Sequence, residues 1–269
     1  MKGYKATYSG KCRGLNYRPG KTYIFHGELS MCIQGLHFCP DIRDTVRWYP
    51  YREDFKIFKT EAEGKTIEGD NKAVTDRLRV IEEVPLDTEL LKELGLYFDN
   101  KGRLKYEIKD MSPLFNTASP SENKYKLEYF YDDRDRLVRC TEESSGGHSI
   151  VWEYDNRGNL ISERKGNCHI TFSYDKNNNC IEENCNNTSR RKRREYDDRG
   201  NCIGECYYTV SPYVYITEYR YDKNNNCIEF IDRDPCNEES IVWDYDEDNN
   251  CISQGRNGVE EWSIEIIDS

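Results

Sequence analysis

Three thiols and an imidazole, Cys12, Cys32, His37 and Cys39, are the side-chain types that hold zinc in a tetrahedral site. Their spacing is not that of a short knuckle, whose paired ligands sit two to four residues apart, but His37 and Cys39 alternate with Phe38 and would share one side of a strand. The plainer alternative is a buried pair of thiols beside a hydrogen-bonded histidine. Cysteine and histidine also make a nucleophile and its base, although no third, orienting residue stands out. A second feature is the run Arg190, Arg191, Lys192, Arg193 and Arg194, five basic residues in a chain of net charge -11. It reads as an anion site for phosphate, nucleotide or an acidic partner surface, or as a charged edge strand that blocks sheet-to-sheet association. The segment "YDKNNNC" opens with Asp175, Asn177 and Asn179 like a calcium loop. Cys180 stands in place of the required glycine and Asn186 in place of the closing Glu, so a turn is the better reading.

These residues need elements to position them. The chain has 21 Tyr, 4 Trp and 9 Phe but only 36% hydrophobic residues, so aromatics supply much of the apolar surface. Together with abundant Asn, Asp and Gly this favours strands joined by tight turns. Strands are expected at "GYKAT", "TYIF", "GLHFC", "FKIFKTEAEG" and "RLRVIEEV", with a helix at "PDIRDTVRWY". "PLDTELLKELG" predicts a short connecting helix over 86–95, with Gly95 as its stop. The acidic balance argues against general nucleic-acid or membrane-surface binding. No apolar run reads as a secretory signal or a membrane span, so a cytoplasmic protein is expected.

Past this helix the chain repeats. "FDNKGRLKYE", "YDDRDRLVRC", "YDNRGNLISE", "YDKNNNCIEE", "YDDRGNCIGE", "YDKNNNCIEF" and "YDEDNNCISQ" recur, spaced 20 to 25 residues apart after the insertion "MSPLFNTASPSE". In "CHITFSYD" Cys168, Ile170, Phe172 and Tyr174 share one face, the parity of a half-buried strand. The same parity in Trp152/Tyr154 and Trp243/Tyr245 predicts an aromatic ladder two residues before each repeat tyrosine. Lys192 and Arg194 break that ladder. Cys180, Cys202, Cys227 and Cys251 follow successive turns, about 10 Å apart and beyond disulfide reach.

The repeats resemble the Tyr-Asp repeats of the Rhs and YD-repeat families, which implies an antiparallel β-hairpin sheet over 96–269, closed by "EEWSIEII" as a capping strand. The head, 1–85, is read as a small α+β domain on an otherwise mainly β protein. Through Cys12, Arg13, Gly14, Tyr17, Gly20, Lys21, Tyr23, Cys32, Gly35, His37 and Cys39 it resembles an uncharacterised bacterial and phage domain family with no known activity. More distantly it resembles the ADP-ribosyltransferase fold, which implies NAD as cofactor, Lys5 and His37 as recognition residues, and Glu82 or Glu83 as the carboxylate, here taken as Glu83. The leading expectation is a recognition protein whose repeat sheet binds a protein or anionic ligand. The alternative is an NAD-cleaving effector targeted by that sheet.

Overall fold

The computed structural model describes residues 1–110, 124–144, 146–186, 191–208, 214–234 and 237–268. Arg190 and the whole insertion at 111–122 lie outside the described residues. The protein is 61% strand and 5% helix, with a 21-stranded antiparallel sheet and a separate three-stranded sheet among the described residues. It divides into two compact units, Met1–Leu96 with Ile241–Ser269, and Tyr97–Ser240. The unit boundary falls inside the repeat series, because the last hairpin groups with the head.

In the second unit each turn follows from its Asp. Asp175 Oδ1 accepts the N–H groups of Asn177 and Asn179 at 2.8 and 2.9 Å, and Oδ2 accepts from Asn179 Nδ2 at 3.0 Å. Asn178 between them is left-handed, with φ of 67°. Short polar residues tolerate that conformation best. The calcium-like carboxylate is therefore engaged by its own turn. Tyr174, Tyr196 and Tyr221 then donate their hydroxyls to the Leu160, Cys180 and Cys202 carbonyls of the preceding hairpin, at 2.7 to 2.9 Å. These three hairpins are thus tied to the ones before them by a side chain as well as by backbone pairing.

The ladder positions pair across their hairpins as Trp152 with Glu163, Phe172 with Glu183 and Arg194 with Glu205. Trp152 Nε1 donates to Glu163 at 3.1 Å, and Arg194 Nε donates to Glu205 at 2.7 Å. Arg194 therefore occupies the slot of a ladder tryptophan and repeats its donor role. The strand Arg191–Tyr196 pairs on both sides, with Cys180–Cys185 and Cys202–Tyr208, so it is not the edge strand its charge suggests.

In the first unit, Lys2–Tyr8 pairs with Phe55–Ala62, which pairs with Arg77–Val84, which in turn pairs with Lys21–His26. The strand Val259–Asp268 continues this order by pairing with Lys21–His26, placing Ile264 opposite Phe25. Cys251–Arg256 and Asn237–Tyr245 follow. The small sheet Leu36–Phe38, Ala73–Thr75 and Thr66–Glu68 is held by a fully buried centre. The core gathers Tyr17, Tyr23, Phe25, Leu36, Phe58 and Leu78, with Trp262 and Ile264 packed against it. The connecting helix Thr88–Glu93 is capped by Asp87, which accepts from Leu90 N, and Gly95 follows at φ 79°. Among the described residues no helix is long and apolar enough to cross a membrane.

Candidate anion-binding site

The site is built on a sharp turn. Cys12 pairs with Leu15, leaving Arg13 and Gly14 as a two-residue hairpin with φ of 48° and 78°. Left-handed values at both central positions match the twist of paired strands. Glycine adopts them without strain, whereas Arg13 does so at a cost of about 1 kcal/mol. A Cβ on Gly14 would lie 2.7 Å from the Cys251 Cβ, so the turn presses against a C-terminal strand, whose Cys251 N–H donates to the Gly14 carbonyl at 2.9 Å. The Arg13 guanidinium bonds the carbonyls of Cys32 and Ile33 at 2.9 and 3.1 Å. Cys32 is itself left-handed, with φ of 70°.

His37 lies on the strand Leu36–Phe38. Its Nδ1–H donates to the Gly35 carbonyl at 3.0 Å, and Nε2 accepts the Cys32 N–H at 2.9 Å. Protonation at Nε2 would set two donors against each other. Burial, followed by the charges of Arg13, Lys5 and Lys72, lowers its pKa from 6.5 to about 4. Lys5, on the strand Lys2–Tyr8, is only 4% exposed; its Nζ donates to the His37 carbonyl at 2.8 Å and lies 4.9 Å from the Tyr17 ring centre.

Two clefts share Lys5, Arg13 and His37. The larger, about 360 Å³, is walled by Tyr17, Phe25, Trp243, Tyr245 and Trp262. The smaller, about 160 Å³, is walled by Cys12, Cys39, Trp48, Tyr49 and Lys72. Among the described residues no Asp or Glu lines either cleft, and no carboxylate ion-pairs with Lys5, Arg13 or Lys72, whose partners are carbonyls and aromatic rings. The second unit differs. Its hollow beside Phe98 and Tyr131 holds Arg103, which Asp99 already pairs at 2.6 Å.

Of the expected catalytic residues, Lys5 and His37 come together while Glu83 does not join them. Glu83 is exposed, pairs with Lys56 at 2.9 Å and lines neither cleft. Glu82 likewise pairs with Lys59, at 2.6 Å. Of the four expected zinc ligands, Cys12 and His37 have other partners, Cys39 is buried and Cys32 is exposed. Cys12 Sγ lies 2.6 Å from the Tyr49 hydroxyl, the His37 ring nitrogens are both occupied, and burial raises the Cys39 thiol to about 12. Among the described residues no group of three or more His, Cys, Asp or Glu could hold a metal ion.

The described part of the basic run, Arg191 to Arg194, is ion-paired within its own unit. Arg191 and Arg193 bond Glu182, Lys192 bonds Glu205 at 2.7 Å, and Arg194 bonds Glu205 and Glu183 at 2.7 and 3.6 Å. Cations without a carboxylate partner among the described residues line the first unit's clefts instead: Lys5, Arg13 and Lys72. The signal for Arg13 was its place beside glycine in a short turn, and the walls from Trp243 and Trp262 depend on a pairing that local sequence does not display.

Arg13, Gly14, Tyr17, Gly35 and His37, five of the motif residues of the head, thus line one cleft. Residues 1–92 match the family model of a domain of unknown function, DUF7666. No curated protein matches the chain. Among solved structures it is similar to the TcdB2-TccC3-Cdc42 crystal structure, at 13% identity over 62% of this chain and 11% of that one, with a TM-score of 0.34. It is also similar to the Photorhabdus luminescens Tc holotoxin pore, at 14% identity over 61% and 11%, with a TM-score of 0.33. A porin-like protein from Bacteroides uniformis gives 10% identity over 93% and 97%, with a TM-score of 0.32. The chain spans about a tenth of the length of these two Tc toxin chains, and the likeness is one of β-rich fold.

Proposed function

We propose that this protein is a recognition protein that binds an anionic ligand in the cleft formed by Lys5, Arg13 and His37. The observation that carries this reading is Lys5, a buried ammonium group with no carboxylate partner among the described residues. Taking an ammonium ion out of water costs several kcal/mol. One charge-assisted hydrogen bond returns about 1.5–3 kcal/mol, and one cation–π contact about 0.5–2 kcal/mol. Arg13 and Lys72 add like charge nearby, so an entering anion supplies the missing countercharge. Binding is better supported than NAD cleavage, because the carboxylate that cleavage requires is paired with Lys56 away from the cleft.

Calorimetric titration with inorganic phosphate at low and high salt tests this. Wild type is expected to bind, more weakly as salt rises, and Lys5→Met and Arg13→Gln are expected to lose binding while still folding. Arg191→Gln with Arg193→Gln should bind like wild type. Absence of phosphate binding by wild type, or full binding by Lys5→Met, refutes the reading.

A further inference from the structure

The two cations account for only one side of the larger cleft. The other side comes from the last repeat hairpin and its capping strand, outside the matched head domain. Trp243 stands opposite Gln254, and Gln254 opposite Trp262, so the three form one rung across three strands. Trp243 Nε1 donates to Gln254 Oε1 at 3.1 Å, and Gln254 Nε2 donates to Glu261 at 2.7 Å. The amide is therefore fixed in one orientation, and both indoles are held by neighbours: Trp262 also lies against Phe25, with ring centres 5.9 Å apart. Such a wall offers planar, rigid, apolar surface with little rotamer freedom left to lose, an arrangement suited to another flat ring.

We infer that the ligand is a small aromatic anion, with its charged group on Lys5 and Arg13 and its ring against the Trp243–Gln254–Trp262 rung. This rests on the anion-binding reading above and adds the ring. A volume of about 360 Å³ suits a small molecule. The last repeat then serves the head as a ligand-binding wall as well as a piece of scaffold.

The test compares phenyl phosphate, inorganic phosphate and phenol on the full chain by calorimetry, with wild type, Trp243→Leu and Trp262→Leu. Wild type is expected to bind phenyl phosphate at least about tenfold more tightly than phosphate, and each variant to lose that preference while keeping its affinity for phosphate. Trp243 is not among the side chains packed against the core, so its replacement is the milder of the two, and thermal unfolding run in parallel identifies any variant that fails to fold. Equal wild-type affinities for the two phosphates, or a preference that survives both substitutions, overturn the aromatic assignment and leave the anion reading standing. Failure of both phosphates to bind wild type overturns the two together.

Discussion

His37 gives a prediction in which the sign and the size both follow from the geometry. Its folded pKa is about 4 against an ordinary 6.5, because burial and the Arg13, Lys5 and Lys72 charges disfavour the imidazolium, and because Nε2 already accepts the Cys32 N–H. Between those two values the unfolded chain takes up a proton that the folded chain refuses. Stability is therefore complete above pH 6.5 and falls as the pH drops toward 4. Converted in full, the difference corresponds to about 3 kcal/mol, and the partial exposure of the ring reduces it to about 1–2 kcal/mol. Urea unfolding at pH 4 to 7 measures the loss, and the same series on His37→Gln isolates this residue from the carboxylates. NMR titration of the imidazole C–H signals, assigned among the four histidines with the same variant, reads the pKa directly. Bound phosphate should raise it, since an anion beside Lys5 and Arg13 offsets the field that holds it down. A His37 signal titrating near 6.5 in the ligand-free protein would refute the reasoning, as would an unchanged midpoint on adding saturating phosphate.

Other positions separate the scaffold from the site. Arg194→Ala leaves half-buried Glu205 with Lys192 and the Tyr219 hydroxyl as its remaining partners and should lower unfolding free energy by about 1–2 kcal/mol, whereas Arg194→Trp, restoring the ladder type, should cost under about 1 kcal/mol; chemical denaturation decides. Gly14→Ala brings a Cβ to 2.7 Å from that of Cys251 at a left-handed φ, so a loss of about 2 kcal/mol or more and weakened phosphate binding are expected in melting and calorimetry. Asp132 is held down to about 2 by the Arg136 side chain and by backbone N–H groups of its turn. Its contribution is present above the ordinary 3.8 and lost as pH falls through about 2, so Asp132→Asn should flatten that part of the acid-unfolding profile.

The turns were legible because their chemistry is local: Asp175, two residues from one N–H and four from the next, closes its own loop, and the period-two strands follow from side-chain parity alone. The cap at Asp87 and the stop at Gly95 are equally local. The site was not legible because it is assembled from distant pairings. Ile264 meets Phe25 across the length of the chain, and nothing near Trp243 or Trp262 announces that the last hairpin joins the head. Cys12, Cys32, His37 and Cys39 are close in sequence, but Tyr49 takes one thiol and the Cys32 backbone takes the imidazole. The basic run is conspicuous as a string, while the ion-pair partners of Arg191 to Arg194, namely Glu182, Glu183 and Glu205, emerge only once hairpin register is applied.

The central claim concerns where an anion goes. Crystals of the full chain soaked in tungstate, an electron-dense phosphate analogue, locate it by anomalous scattering. The strongest peak is predicted between Lys5 Nζ and the Arg13 guanidinium, on the His37 side of the larger cleft. A strongest peak at Arg191–Arg194, with the Lys5 cleft empty, would contradict the account.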